Sequence, residues 1–532
     1  MEKKIEKIKK EIEDGRAYLG IELGSTRMKS VLINEDFEVL AQGSFQWEAS
    51  YIDGFWTYSL GEIKIGLANS FKDLKENVST KYGLKLEKIA GLGISGMMHG
   101  LLAFDKNMDL ITPFRTWRNT NTDQAVNFLT DYFNFNIPHR WSVAHLYQAI
   151  LSKESFVDKI DYMTTLSGYV HYLLSGQKVL GIGDASGMFP VDKNYDYRQD
   201  LIEKFDQIRE VKEHNIKIKK ILPKVMVAGE NAGNLTPEGA KLLDPDGDLE
   251  PGAIMCPPEG DAGTGMVATN SVSEKTGNIS IGTSIFSMIV LEKDLEKYYK
   301  EIDIVTTPDG KPVAMVHCNN GTADFDAWLS LFAEFAKDNK AIENDLYSYI
   351  YNKSKEADLD AGGLIVYNYL SGEPINGVLE GRPMVIRKED SKFTLANFIL
   401  ANLYSIMATI RIGQDILTEK ENVIIEEMLG HGGVFKSKEI MQNIVSAALD
   451  TKVATYQSAS EGGPWGIAIL AAFSKNKKPE ESLDNFLKEK VFAQTNKKIS
   501  LEAKADMKEG FEKFLQNYKK SLPTQKEAGK NF

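Results

Sequence analysis

The sequence predicts an α/β protein of two domains, and three observations carry that prediction. At 532 residues the chain is too long for one compact core, since domains of ~100–200 residues are usual. Strand-like and helix-like runs are mixed along it, which argues helices layered on sheets. One strand-turn-strand pattern also occurs twice, as IELGSTRMKSVLI at 21–33 and ISIGTSIFSMIVL at 279–291. Both copies read apolar, variable, apolar, Gly, two hydroxyl residues and a further strand, as a duplicated domain would.

The elements follow in order. Residues 1–14 read as a charged helix with Ile5, Ile8 and Ile12 on one face, laid on a domain surface. Residues 18–48 alternate as β-structure, 59–77 read as a helix, and IAGLGISG (89–96) is a strand followed by a second, GLLAFD. Residues 140–180 look helical and 236–248 loop-like. A second β-rich segment begins at Gly277. Helices at 394–418 and 437–449 flank the strand VIIEEML. The tail from about Lys519 is polar, which predicts disorder. The expected domains are a helical extension over 1–16, an N-terminal domain over 17–270, a C-terminal domain over 271–518, and a tail over 519–532.

Bulk properties remove several function classes. The net charge of −12 makes a nucleic-acid backbone an unlikely partner. Two cysteines, Cys256 and Cys318, exclude a disulfide framework and a four-cysteine metal site within one chain, and point to a reduced, cytoplasmic setting. The opening residues, MEKKIEKIKKEIED, are too charged for a signal peptide. No apolar run reaches the ~18–20 residues of a membrane helix, so no membrane partner is expected.

Three stretches carry chemistry. A glycine followed by hydroxyl residues at a strand turn exposes backbone N–H groups and suits phosphate oxygens. Gly24-Ser25-Thr26 and Gly282-Thr283-Ser284 are two such turns, expected to grip one polyphosphate. The copies differ at one point: Glu22 is matched by Ser280, so only the first places a carboxylate able to hold Mg²⁺, directly or through its waters. In PPEGDAGTGMV (257–267), Asp261 stands among small residues at a helix start. An ionised Asp there can accept the proton of a substrate hydroxyl, though a simple helix cap would read the same. In VIIEEMLGHGGVFKSKEIMQ (423–442) a strand runs into bare backbone, where an adenine can lie; SEGGPWGIAILAAF (460–473) repeats the device. GLGISG (91–96) matches a dinucleotide fingerprint but leads into a second strand rather than a helix, which excludes that reading.

Together these pieces resemble the FGGY family of carbohydrate kinases, from roughly Ala17 to Phe473. The resemblance rests on GIELGST, GISGMMHGLLAFD, EGDAGTG, SIGTSIFSM, and GHGGVF with EGGPWG, in that order. It implies two actin-like ATPase (ribonuclease H-like) domains with ATP and Mg²⁺ in a cleft between them, and a sugar bound by the N-terminal domain. Within the family, GMMHG looks most like xylulokinases, so Met98 and His99 are implied as ketopentose contacts. FRTWRN (114–119) resembles the segment that adds Trp117 and Asn119, although Arg118 intervenes. Asp261 matches the catalytic base and also contacts the substrate. Gly24, Ser25, Thr26, Gly282, Thr283 and Ser284 match phosphate contacts, and Gly432 and Gly433 adenosine contacts. Three positions depart from the pattern: Glu22 stands for the usual Asp, Ala262 for the xylulokinase Asn, and His431 interrupts a glycine triplet.

The expected reaction is transfer of the γ-phosphoryl of ATP to a terminal hydroxyl of a ketose, xylulose first. GTSIFSM and GGVFKSKEIMQ are also similar to ribulokinases, so ribulose, fuculose or a polyol is the alternative acceptor. A non-catalytic actin-like ATPase with a protein partner is the rival from another class. A radical-enzyme activator of the same fold is disfavoured, because two cysteines per chain hold a cluster only at a dimer seam. Oligomeric state, a homodimer included, is left open.

Overall fold

The computed structural model describes residues 2–339, 346–437, 439–456, 462–495 and 498–531. Ser460 and Glu461 of the SEGGPWG stretch, and Lys438 beyond GHGGVF, lie outside them. The chain divides into two compact units: Met1–Val272 with Ile304–Val313 and Glu461–Thr495, and Ser273–Asp303 with Ala314–Ser460 and Asn496–Phe532.

In the first unit the hairpin Tyr18–Leu23/Arg27–Ile33 is extended antiparallel by Val39–Gln46, while Gly91–Gly96 joins the other side of Tyr18–Leu23 in parallel. Ile254–Met255 and Glu259–Gly260 add parallel pairings to Gly91–Gly96. Tyr18–Leu23 is apolar on both faces because both are covered. Over the neighbouring strands Arg27–Ile33 and Val39–Gln46 lies the helix Leu60–Tyr82, started by a Ser59–Glu62 capping box and ended by Gly83 at φ 70°. The helix Gly462–Asn476 covers Tyr18–Leu23 and Gly91–Gly96. It comes close because Gly20 and Gly93 pair across the strands and lack side chains; a methyl on Gly20 would overlap the Pro464 carbonyl.

The second unit repeats the plan. Thr276–Ile281 and Ile285–Val290 form the antiparallel hairpin, Pro312–Cys318 lies beside the latter, and Glu427–His431 then Lys452–Thr455 continue in parallel on the other side. Glu22 faces Ser95 across its parallel neighbour as Ser280 faces His431. The internal echo is therefore a repeat of topology, with the second hairpin one residue tighter at its turn.

Several expectations change. Residues 461–495 belong to the first unit, so a single cut near 270 does not describe the chain. Residues 236–248 include the helix Pro237–Leu243, capped by Thr236. The stretch 140–180 is two helices, Ser142–Leu151 and Leu166–Ser175, separated by the strand Tyr162–Thr164. The tail is helical: it continues the helix Ala505–Asn531, whose first part is anchored by buried Phe511, Phe514, Leu515 and Tyr518, while among the tail's own described residues only Gln525 is buried. In the N-terminal helix Ile8 and Ile12 are buried, but Ile5 is exposed. Among the described residues one helical stretch, Leu395–Lys420, is long and apolar enough to cross a membrane, contrary to the sequence reading; most of it is buried inside the protein.

Candidate functional site

The turn Gly24-Ser25-Thr26 closes the first hairpin, with the Gly24 N–H donating to Arg27 O at 3.1 Å. Aromatic side chains hold it from behind. The Trp47 indole donates to Gly24 O at 2.7 Å and the Tyr58 hydroxyl to Ser25 O at 2.6 Å. These two rings stack with centroids 4.1 Å apart. The Trp117 indole donates to Ser25 Oγ at 3.3 Å. The turn is thus preorganised, with Thr26 exposed at its tip.

Asp261 opens the helix Asp261–Ala268 and is accessible to solvent. Its carboxylate accepts the N–H of Ala262 at 3.0 Å and the backbone N–H of Met98. Desolvation raises the carboxyl to about 6, against the pull of those N–H groups toward the ionised form. Glu22, on Tyr18–Leu23, is half-buried and raised to about 7, first by desolvation and then by the charge of Asp261, with Lys29 acting the other way. Glu22 lies against Gly463, where a methyl would overlap its Oε2. The first unit therefore places two mutually repelling carboxylates together, an arrangement that a cation relieves.

Met98 and His99 follow the strand Gly91–Gly96 and are both 6% exposed. His99 sits at φ 70°, a strained conformation for a side-chain-bearing residue. Its Nδ1 is 3.3 Å from Gly187 O, and its ring lies 15° from parallel to Trp141. Trp117 is 38% exposed and so offers a face to a ligand. Asn119 is different. It is buried, its Oδ1 accepts the Trp56 N–H at 2.8 Å, and its Nδ2 donates to Trp56 O at 2.8 Å and Thr116 O at 3.1 Å. This amide braces the segment that carries Trp117. Arg118 stacks on the Trp56 ring at 3.8 Å.

In the second unit the Gly282-Thr283-Ser284 turn is held by the segment after Pro312–Cys318. Gly321 N–H donates to Thr283 O at 2.7 Å and Thr322 N–H to Gly282 O at 2.9 Å. Gly432, at φ 107°, packs against the Ile281 carbonyl, so the hydroxyl turn and the Gly432–Gly433 backbone meet on one surface of this unit. His431 lies between them in register with Ser280, and desolvation lowers its imidazole to about 4, keeping it neutral.

Sequence reasoning missed two buried acids. Glu259, two residues before Asp261, accepts the N–H groups of Gly183 and Asp184 at 3.2 and 3.0 Å. Asp184 accepts hydroxyl hydrogens from Thr165, at 2.7 Å, and Ser167. The available signal was an acid inside a motif of small residues, facing the glycines of LGIGDASG (180–187). Desolvation raises Glu259 to about 8 and Asp184 to about 7. Each holds its proton more tightly folded than unfolded, so its stabilising contribution is complete below pH ~4 and lost as pH rises through 7–8. Buried His145 and His171 are lowered to about 3 and about 4, so their contribution is present above pH ~6.5 and lost below it. Between pH ~4 and ~6.5 the two acids and the two histidines offset one another, so the thermal unfolding midpoint should be level there and fall between pH ~6.5 and ~8. A midpoint still rising across that range would contradict these assignments.

Each unit thus carries a glycine-hydroxyl turn at a hairpin, and the first also carries an accessible carboxylate at a helix start. Family comparisons identify the chain. The model of the N-terminal domain of the FGGY family of carbohydrate kinases matches residues 17–245, and that of its C-terminal domain matches 277–474. The chain belongs to the FGGY family of carbohydrate kinases. It is 22% identical over 488 residues to a xylulose kinase from Haemophilus influenzae, covering 86% of this chain and 90% of that protein. Among solved structures it is similar to a ligand-bound xylulose kinase from Lactobacillus acidophilus, at TM-score 0.78 and 15% identity over 97% of this chain and 99% of that one. A Plasmodium falciparum glycerol kinase with ADP is similar at TM-score 0.75 and 17% identity, over 96% and 98% of the two chains.

Proposed function

We propose that the enzyme transfers the γ-phosphoryl group of ATP to a terminal hydroxyl of a ketopentose, xylulose first, with Asp261 as the base. The observation that carries this reading is the accessible Asp261 carboxylate, tied to the backbone of Met98 and followed across that backbone by His99. In the reaction the acceptor hydroxyl gives its proton to Asp261 while its oxygen attacks the γ-phosphorus. The bond to the β,γ-bridging oxygen breaks and ADP leaves. Met98 and His99 wall the sugar, Trp117 offers it an apolar face, and Asn119 sets the position of Trp117. The turns Gly24–Thr26 and Gly282–Ser284 contact phosphate oxygens, and Gly432–Gly433 the adenosine. The xylulose kinase names among the relatives support the choice of sugar; Ala262 leaves room for another ketose or a polyol.

Mg²⁺ neutralises phosphate charge in such reactions. Among the described residues no three His, Cys, Asp or Glu converge as a metal cage, and Mg²⁺ sites are commonly one or two carboxylates plus substrate phosphates. Glu22, crowded beside Gly463 and repelled by Asp261, fits that role directly or through water.

The test is ADP release measured over D-xylulose, L-xylulose, D- and L-ribulose, fuculose and glycerol. Strong stimulation by a xylulose supports the reading; stimulation only by glycerol or ribulose moves the acceptor class. Sugar-independent turnover would support a non-catalytic ATPase role instead. The pH dependence gives a second check. With Asp261 at about 6, kcat/KM should fall as pH drops through about 6, whereas an ordinary aspartate would hold activity to pH ~4. With Glu22 at about 7, apparent Mg²⁺ affinity should weaken as pH falls through that value.

A further inference from the structure

We propose that Glu259 is a positioning residue that fixes Asp261 and His99 relative to one another through the first turn of the helix Ile182–Ala185. The inference rests on the roles given above to those two residues. Glu259 is 1% exposed and lies on the short strand Glu259–Gly260, in register with Ser95. Its two oxygens accept separate backbone donors, Oε1 from Gly183 and Oε2 from Asp184, and the Gly260 N–H adds a third. Pro258 O accepts the Gly181 N–H at 2.8 Å. A methyl on Gly181 or Gly183 would overlap the carboxyl, so the helix start is shaped to admit it.

The contacts run on from there to the sugar wall. Turn bonds from Ser186 N–H to Ile182 O at 2.9 Å and from Gly187 N–H to Asp184 O at 3.0 Å carry the chain to Gly187. The Gly187 carbonyl meets His99 Nδ1, and a methyl on Gly187 would overlap that ring. His99 follows Met98, whose N–H holds the Asp261 carboxylate, and Asp261 is two residues from Glu259. The circuit closes: Glu259, Gly183–Asp184, Gly187, His99, Met98, Asp261 and back. Glu259 is the side chain that joins its two arms.

The partners of Glu259 explain why an acid stands there. Both oxygens face N–H donors, and an amide can accept with only one of its two heavy atoms. A buried carboxyl held by backbone dipoles beside a second buried acid, Asp184, is an expensive way to fill space. Gripping two adjacent N–H groups of one turn gives it a directional role that an apolar filler lacks.

The test compares wild type with Glu259→Gln and Glu259→Ala. Four quantities are read: thermal unfolding, affinity for a fluorescent ADP analogue, steady-state kinetics with D-xylulose, and the imidazole resonances of His99 assigned through His99→Asn. Glu259→Gln should raise KM for D-xylulose and lower kcat by about tenfold each, leave nucleotide affinity within about twofold, and shift the His99 resonances. Gly183→Ala, which intrudes on the carboxyl without altering its charge, should give the same signature if Glu259→Ala fails to fold. Unmoved His99 resonances in folded Glu259→Gln, or a loss shared equally by nucleotide affinity, would overturn the proposal. Should wild type not phosphorylate D-xylulose, the sugar assignment fails while the His99 resonances still decide the role of Glu259.

Discussion

Asp261→Ala should lower kcat for sugar phosphorylation by ~10²–10⁴-fold, the usual cost of losing a positioned base and roughly 3–5 kcal/mol of barrier. Nucleotide affinity should stay near wild type, because the phosphate-type turns and the Gly432–Gly433 backbone are separate from this side chain. Asp261→Asn sharpens the test. The amide oxygen can still accept the Met98 N–H, so geometry is largely kept while the proton acceptor is lost. A similar fall in both variants assigns the effect to the base; near-normal turnover in either would remove Asp261 from that role.

The second large effect is on stability. Gly466 lies where the helix Gly462–Asn476 crosses Asp261–Ala268, and a methyl there would overlap the Thr264 carbonyl. Backbone meets backbone at this crossing, so no side chain can rotate away. Gly466→Ala should cost ~1–3 kcal/mol through overpacking, or a fall of roughly 2–4 °C in Tm per kcal/mol. Gly265, in the helix that carries Asp261, has nothing within 4 Å of a methyl added to it. Gly265→Ala should be neutral or stabilising by about 0.5–1 kcal/mol, since Ala loses less backbone entropy in a helix. Thermal unfolding of the two variants checks this directly. Equal melting temperatures would mean that the crossing is not a tight contact.

Local chemistry made much of this legible. The glycine-hydroxyl turns stand out because the same pattern occurs twice, each time between two strand-like runs. Glu22 and Ser280 both stand on the first strand of their hairpins, two residues before the turn glycine, although the hairpin registers differ by one: Glu22 pairs with Lys29, Ser280 with Phe286. Asp261 could be placed at a helix start because small residues flank it. What could not be read was set by distant packing. The apolar run 464–473 gives no hint that it returns to the first unit; that depends on Gly20 and Gly93, more than 370 residues earlier in the chain. The tail looked disordered from its polarity, yet it continues a helix that four buried apolar side chains anchor just before it. Asn119 resembled a ligand contact by position, but its amide is engaged by the backbone of Trp56. Glu259 escaped notice because its partners lie in a short helix some 75 residues away.

The central claim is phosphoryl transfer to a ketose, and its most direct measurement is a phosphorus NMR spectrum of the enzyme incubated with ATP, Mg²⁺ and D-xylulose. A new phosphomonoester resonance appearing in step with ADP, and absent with Asp261→Asn, is the predicted result. ADP accompanied only by inorganic phosphate, with no sugar phosphate formed, would contradict it.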